Sequence, residues 1–145
     1  MKRWPERRCG AAAVVLNDRG DVLLVRHTYG KLNWELPGGA SEPGESIVET
    51  ALRELREETG LEAVAEWMTG VYYESDLDAH HFVFHCSVVA GEAKPSSDEI
   101  SECGYWAAAA LPRPISDFTK RRIEDALARA GQVFPVLVPT RVWLE

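Results

Sequence analysis

The stretch Gly39–Leu61, GASEPGESIVETALRELREETGL, decides how this chain is read. Ile47, Val48, Ala51, Leu52 and Leu55 recur at helical spacing and form an apolar stripe suited to packing on a sheet. Pro43-Gly44 before them is turn chemistry, and Gly60 after them fits the left-handed position that closes a helix. On that helix Glu54, Glu57 and Glu58 stand at i, i+3 and i+4, within one arc about 100° wide. Ser46, Ile47 and Thr50 share the arc, and none is basic. Three like charges with no cation among them weaken a helix unless something binds them. Mg²⁺ or Mn²⁺ suits such a set, because hard divalent cations prefer carboxylate oxygens and keep several waters. The arc flanks the apolar stripe, which predicts carboxylates at the rim of the core. Arg53 and Arg56 fall on the far side with Glu45 and Glu49, and an i,i+4 pair Glu49–Arg53 is expected to hold Arg53 away from the cluster. A solvated, glutamate-rich surface helix with no ligand is the plain alternative.

The wider spacing decides between them. Gly39, five residues, Glu45, seven residues, then Arg53-Glu54-Leu55-x-Glu57-Glu58-x-Gly60-Leu61 matches the Nudix box at every specified position. At average residue usage such a match arises by chance roughly once in a billion placements. The chain therefore resembles the Nudix hydrolases. Trp34-Glu35-Leu36-Pro37-Gly38-Gly39 looks like the strand and loop that enter the box, and Asp98–Glu102 with Tyr105-Trp106 resembles the family's later loop and last core strand. The resemblance implies metal-ligand roles for Glu54, Glu57 and Glu58, with the Gly38 carbonyl as a further ligand. It implies that Glu45 and Arg53 orient the loop and the catalytic glutamates. It also implies an acidic residue outside the box as ligand or general base. Glu99 and Glu102 are the candidates; Glu99 is preferred, since Glu102 sits closer to the apolar Tyr105-Trp106 run. Arg26, at a strand end, and Gly39 are candidate substrate contacts; a surface arginine is the simpler reading of Arg26. Lys31 and Lys94 are weaker candidates of the same sort.

Composition bounds the alternatives. The 145 residues are enough for one domain with a real core, and 46% hydrophobic with 27% charged is ordinary for a globular chain. A net charge of −7 argues against a nucleic-acid surface, which needs a basic patch. Small phosphorylated substrates stay acceptable because bound cations reverse the local field. Cys9, Cys86 and Cys103 lack CxxC spacing and imply neither a disulfide framework nor a zinc site. No leader or membrane span is read, and a cytoplasmic location is expected.

Along the chain, Gly10–Leu16 reads as a buried strand, Asn17–Gly20 as a turn and Asp21–His27 as its hairpin partner. Trp34–Leu36 is a short strand, Ala63–Glu74 and His81–Ala90 are longer ones, Gly91–Ser101 a polar loop and Gly104–Ala109 a further strand. Ser116 or Asp117 caps a second helix running to about Ala130, with Phe118, Ile123, Leu127 and Ala130 inward and Gly131 at its end. The order predicts a mixed β-sheet between helices, an α/β/α sandwich, which the resemblance also implies. Residues 1–145 read as one domain. The apolar tail Gln132–Glu145 is expected to pack on that domain, a homodimer contact being the alternative.

The expected activity is divalent-metal-dependent hydrolysis of a nucleoside diphosphate linked to a group X: a nucleoside triphosphate, a nucleotide sugar or ADP-ribose. Water attacks phosphorus, and like-charge crowding supplies one glutamate with a pKa suited to neutral pH. The rival is a non-catalytic regulatory domain that senses such a ligand. His80, His81 and His85 cluster locally, with a place near the substrate mouth or simple packing favoured over a metal role. Trp34, Trp67, Tyr72 and Tyr73 are aromatic faces that fit either a base or the core. The segments Glu74–His80 and Gly91–Ser101 are where selectivity is expected.

Overall fold

The computed structural model describes residues 2–128, 133 and 135–145. Elements follow in the order β1 (Arg8–Val14), β2 (Val22–His27), β3 (Trp34–Glu35), β4 (Gly38–Ala40), α1 (Ile47–Thr59), β5 (Glu62–Glu74), β6 (Ala79–Ala90), β7 (Ile100–Trp106), β8 (Ile115–Ser116), α2 (Asp117–Ala128), β9 (Pro135–Val138) and β10 (Trp143–Leu144). The strands form two mixed five-stranded sheets, ordered β4-β1-β6-β5-β9 and β10-β8-β3-β2-β7.

Alternation along β1 builds the layers. Ala11, Ala13 and Val15 pack with Ala51, Leu55 and Leu61 on the α1 side, while Ala12 and Val14 pack with Phe118, Ile123 and Ala126 on the α2 side. A strand buried on both faces needs apolar residues at every position, and the run AAAVV supplies them. The α/β/α arrangement expected from the sequence is therefore present, with its strands divided between two sheets.

That division revises the expected hairpin. The Asn17–Gly20 turn forms, but only Leu16 and Val22 bridge across it. β1 then pairs with β4 and β6, and β2 with β3 and β7. Both strands are apolar on both faces, so each is covered by distant partners.

Helix α1 is specified at both ends. Ser46 caps it through a reciprocal pair with Glu49, and Gly60 closes it at φ 80°. A cap of this kind is worth about 1 kcal/mol. Glu49 is thus engaged with Ser46, not with Arg53. Val48, expected in the apolar stripe, is 37% exposed, and Thr50 is buried in its stead. The loop after β6 docks on the other end of α1, where Lys94 and Ser96 donate their N–H groups to the Thr59 and Glu58 carbonyls. This satisfies the last carbonyls of the helix and carries residues 97–99 back to the site.

Several expected boundaries shift. β7 begins at Ile100, whose side chain is buried, and Ala108–Ala110 is a 3₁₀ turn instead of the end of a strand. In α2, Ser116 is the cap, its Oγ accepting from Thr119 N at 3.1 Å. Phe118 and Ile123 face inward as expected, but Leu127 is 37% exposed, and Thr119, Arg122 and Ala126 are buried with them. Ala130 and Gly131 lie outside the described residues. In the tail, β9 runs parallel to Val71–Glu74 of β5 and β10 pairs with β8. Arg141 anchors it through a two-pronged contact with Glu74, at 2.8 and 3.0 Å. One buried ion pair joins α2 to the strand that leads into the site: Arg122 Nη2 donates to Glu35 Oε1 at 2.7 Å.

Candidate active site

Three segments converge at the rim between α1 and β1. The first is the glycine pair of β4. A Cβ on Gly38 would lie 2.5 Å from the Ala11 carbonyl oxygen and 2.8 Å from Ala12 Cα. One on Gly39 would lie 2.7 Å from the Glu54 carboxyl. Glycines therefore let the backbone pass between β1 and the helix carboxylates. Gly38 N donates to Glu58 Oε1 at 2.8 Å. N–H and C=O of one strand residue point to the same side, so the Gly38 carbonyl is also directed away from β1.

The second segment is α1. Glu58 is 4% exposed, and Glu54 and Glu57 have side chains 17% and 53% exposed. Arg53 stands among them, contrary to the expectation that it is held away. Its Nη1 donates to Glu54 at 2.8 Å and Glu57 at 3.2 Å, its Nε to Glu45 at 2.6 Å, and its Nη2 to Glu45 and to the Ala40 carbonyl, each at 3.0 Å. A long side chain on the margin of the arc folds across it because Glu45, outside the helix, draws the guanidinium over. Glu45 also accepts from Thr50 Oγ1 at 2.7 Å and Glu42 N at 3.1 Å. The hydrogen bonds from Arg53 and then Thr50 hold its carboxyl down at about 2. Arg53 and Glu45 thus lock the β4–α1 loop to the helix.

The electrostatics of the remaining carboxyls run the other way. Burial pushes Glu58 up to about 8, with the charges of Glu54, Glu35 and Glu99 adding to the effect. Burial also raises Glu54, although Arg53 opposes this, and Glu57 and Glu99 raise it further. The site holds more carboxylates than its one guanidinium can neutralise. Among the described residues, no group of three or more His, Cys, Asp or Glu side chains stands at metal-ligand spacing; Arg53 donates to Glu54 and Glu57, and Gly38 N to Glu58. The donor set nevertheless suits a hard divalent cation: crowded carboxylates of raised pKa beside a backbone carbonyl, on a rim open at Glu57.

The third segment holds Glu99 and separates it from Glu102. The Glu99 charge acts on Glu54 and Glu58, as well as on His27 and Tyr29. Glu102 lies opposite Arg26 in the β2–β7 ladder and accepts from Arg26 Nη1 at 3.0 Å. Arg26 also donates to the Leu32 carbonyl at 2.9 Å. Its charge is directed to Glu102, away from the box glutamates. Lys31 reaches Glu145 at 3.7 Å and lines an open cavity of about 420 Å³ with Arg113, Pro114 and Glu145, none of them a box residue.

The other candidates are engaged elsewhere. His81 Nε2 is 2.9 Å from Glu74, His85 stacks on Trp67, and His80 leans on Tyr73. Trp34 is buried against Trp106, Tyr72 donates to Asp125, and Tyr73 donates to Asp78. Sequence reasoning passed over Tyr29, which stacks on His27 with ring centroids 4.6 Å apart. A lone aromatic in a Gly/Lys/Asn turn carries no periodic signal that would mark it. No helix among the described residues is long and apolar enough to cross a membrane.

Comparison with known proteins identifies the family. The NUDIX domain model matches residues 6–127. A putative 8-oxo-dGTP diphosphatase of Bacillus subtilis (strain 168) is 35% identical over 116 residues, covering 80% of this chain and 77% of the relative. An ADP-ribose pyrophosphatase of Methanocaldococcus jannaschii is 36% identical over 112 residues, covering 73% of this chain and 66% of that protein. Some other curated relatives are longer, and the chain spans less than half of each. Among solved structures, a UDP-X diphosphatase is 27% identical with a TM-score of 0.77, covering 94% of this chain and 70% of that one. With the family model spanning most of its length and relatives named as pyrophosphatases and diphosphatases, this chain is a member of the Nudix hydrolase family.

Proposed function

We propose that the chain is a divalent-metal-dependent pyrophosphohydrolase acting on a nucleoside diphosphate linked to a group X, such as a nucleoside triphosphate, a nucleotide sugar or ADP-ribose. The observation that carries the reading is the crowding of Glu54, Glu58 and Glu99 around the Gly38-Gly39 backbone, with Glu57 at the open side. Glu54, Glu57, Glu58 and the Gly38 carbonyl would hold Mg²⁺ or Mn²⁺, which when bound neutralises the charge that builds on the phosphates during transfer. Arg53 and Glu45 fix the loop and keep Glu54 in place. Glu99, across from the helix, accepts the proton of the attacking water; it is preferred over Glu102, whose charge is spent on Arg26. Gly39 lets substrate oxygens approach the backbone. We take the described tail as part of the same domain. Relatives named as a putative 8-oxo-dGTP diphosphatase and an ADP-ribose pyrophosphatase support testing substrates of both kinds.

A panel of nucleoside triphosphates, nucleotide sugars and ADP-ribose, run with Mg²⁺, Mn²⁺ and EDTA and read as nucleoside monophosphate formed, tests the reading. At least one substrate should be cleaved, only with metal, and Glu57→Gln should remove most of kcat while the protein stays folded. Activity of that variant within a few-fold of wild type would refute the metal assignment.

A further inference from the structure

Phosphate cleavage has no use for one prominent side chain at the rim. Tyr29 lies in the turn between β2 and β3, 52% exposed, with its ring 11° from parallel to that of His27 beneath it. The turn is held from several directions. Thr28 N donates to the Glu99 carbonyl and Thr28 Oγ1 to the Asp98 carbonyl, both at 2.9 Å. Leu32 N donates to the Tyr29 carbonyl at 3.0 Å, and His27 N to the Asn33 carbonyl at 2.9 Å. Leu32 sits at φ 52°, a left-handed conformation that costs a leucine about 1–2 kcal/mol and persists only where the surroundings fix it.

Tyr29 is therefore an aromatic face set in place before any ligand arrives, and Thr28 ties it directly to the segment bearing Glu99. Burial and the charges of Glu99, Glu58, Glu35 and Glu54 raise its phenol, consistent with a position beside the carboxylates. Trp34 and Tyr72 are buried, and Trp67, although stacked on His85 in the same manner, lies on β5 and not on the turn that Thr28 ties to the segment bearing Glu99.

We propose that Tyr29, backed by His27, is the stacking platform for a flat ring carried by the substrate, and that it selects nucleoside diphosphate derivatives over ringless diphosphates. The inference rests on the pyrophosphohydrolase reading for the position of the phosphates. A sugar offers no π face, whereas any nucleobase does, and stacking on an aromatic side chain is worth about 1–3 kcal/mol per base.

The test is calorimetric titration of the full chain in Mg²⁺ with the α,β-methylene analogues of ATP, GTP, CTP and UTP, and with imidodiphosphate as the ringless probe. Tyr29→Ala should weaken the best nucleotide analogue by roughly tenfold or more, the fold-change that base stacking supplies, and leave imidodiphosphate unchanged. Tyr29→Phe should restore nucleotide binding. Unchanged nucleotide affinity in Tyr29→Ala would overturn the proposal, as would equal losses for both probes. So would a wild-type protein that binds no nucleotide analogue more tightly than imidodiphosphate. Hydrolysis of the parent triphosphates to nucleoside monophosphate, measured alongside, separates the two readings: binding selectivity without hydrolysis keeps this inference and removes the reaction.

Discussion

Glu58→Gln should make the metal-free protein more stable at alkaline pH, although it removes a hydrogen-bonded, buried side chain's charge. Glu58 is 4% exposed and its carboxyl is raised from 4.5 to about 8, mainly by burial. Below pH 4.5 it is protonated in both folded and unfolded chains and costs nothing. Between 4.5 and 8 the unfolded chain ionises while the folded one keeps its proton, so stability falls as pH rises. Above 8 the full cost is present, about 5 kcal/mol at 1.36 kcal/mol per pKa unit. Glutamine retains an acceptor for Gly38 N and cannot ionise. Differential scanning calorimetry in EDTA should find similar Tm values for the two proteins at pH 5. At pH 9 the variant should lead by about 10–20 °C, allowing 2–4 °C per kcal/mol for a domain of this size. Millimolar Mg²⁺ at pH 9 should narrow the gap by stabilising only the wild type. Parallel Tm–pH curves for the two proteins would refute the buried, uncompensated carboxylate on which the site's electrostatics rest.

The two glycines of β4 should fail differently. Gly38→Ala drives a Cβ into the β1 backbone, which cannot yield, and should cost about 1–3 kcal/mol or more in urea unfolding. Gly39→Ala meets the Glu54 carboxyl first, the end of a side chain that can move, so it should stay folded while displacing that side chain and losing most of the activity. Glu99→Gln should lower kcat by about 10²-fold or more if it takes the proton. Glu102→Gln should stay within about threefold, because it breaks only an exposed pair with Arg26. The reverse ranking of these two variants would reassign the role.

What could be read from the sequence is what helices encode locally. The span, cap and apolar spacing of α1 are set by Ser46, Gly60 and residues a turn apart, and no distant contact is needed to place Glu54, Glu57 and Glu58 on one arc. Arg53 escaped that logic because a helical wheel locates a Cα, not the end of a long side chain. Its guanidinium is positioned by Glu45 and the Ala40 carbonyl, which reach it only after the loop has folded back. β4, β8, β9 and β10 were illegible for a related reason: two to four residues carry no period, and their pairing is fixed by partners far along the chain. The choice between Glu99 and Glu102 is a question of register, since the β2–β7 ladder sets Glu102 opposite Arg26 and leaves Glu99 on the loop that caps α1. Charge was thus legible in number but not in pairing. The sequence shows a surplus of carboxylates around Gly38 and Gly39, whereas only the fold shows which of them a cation of the protein already satisfies. Glu45 and Glu102 are satisfied by Arg53 and Arg26. Glu54 shares Arg53 with Glu45 and Glu57, while Glu58 and Glu99 crowd it without a cation of their own among the described residues, and it is this surplus that must be neutralised from outside.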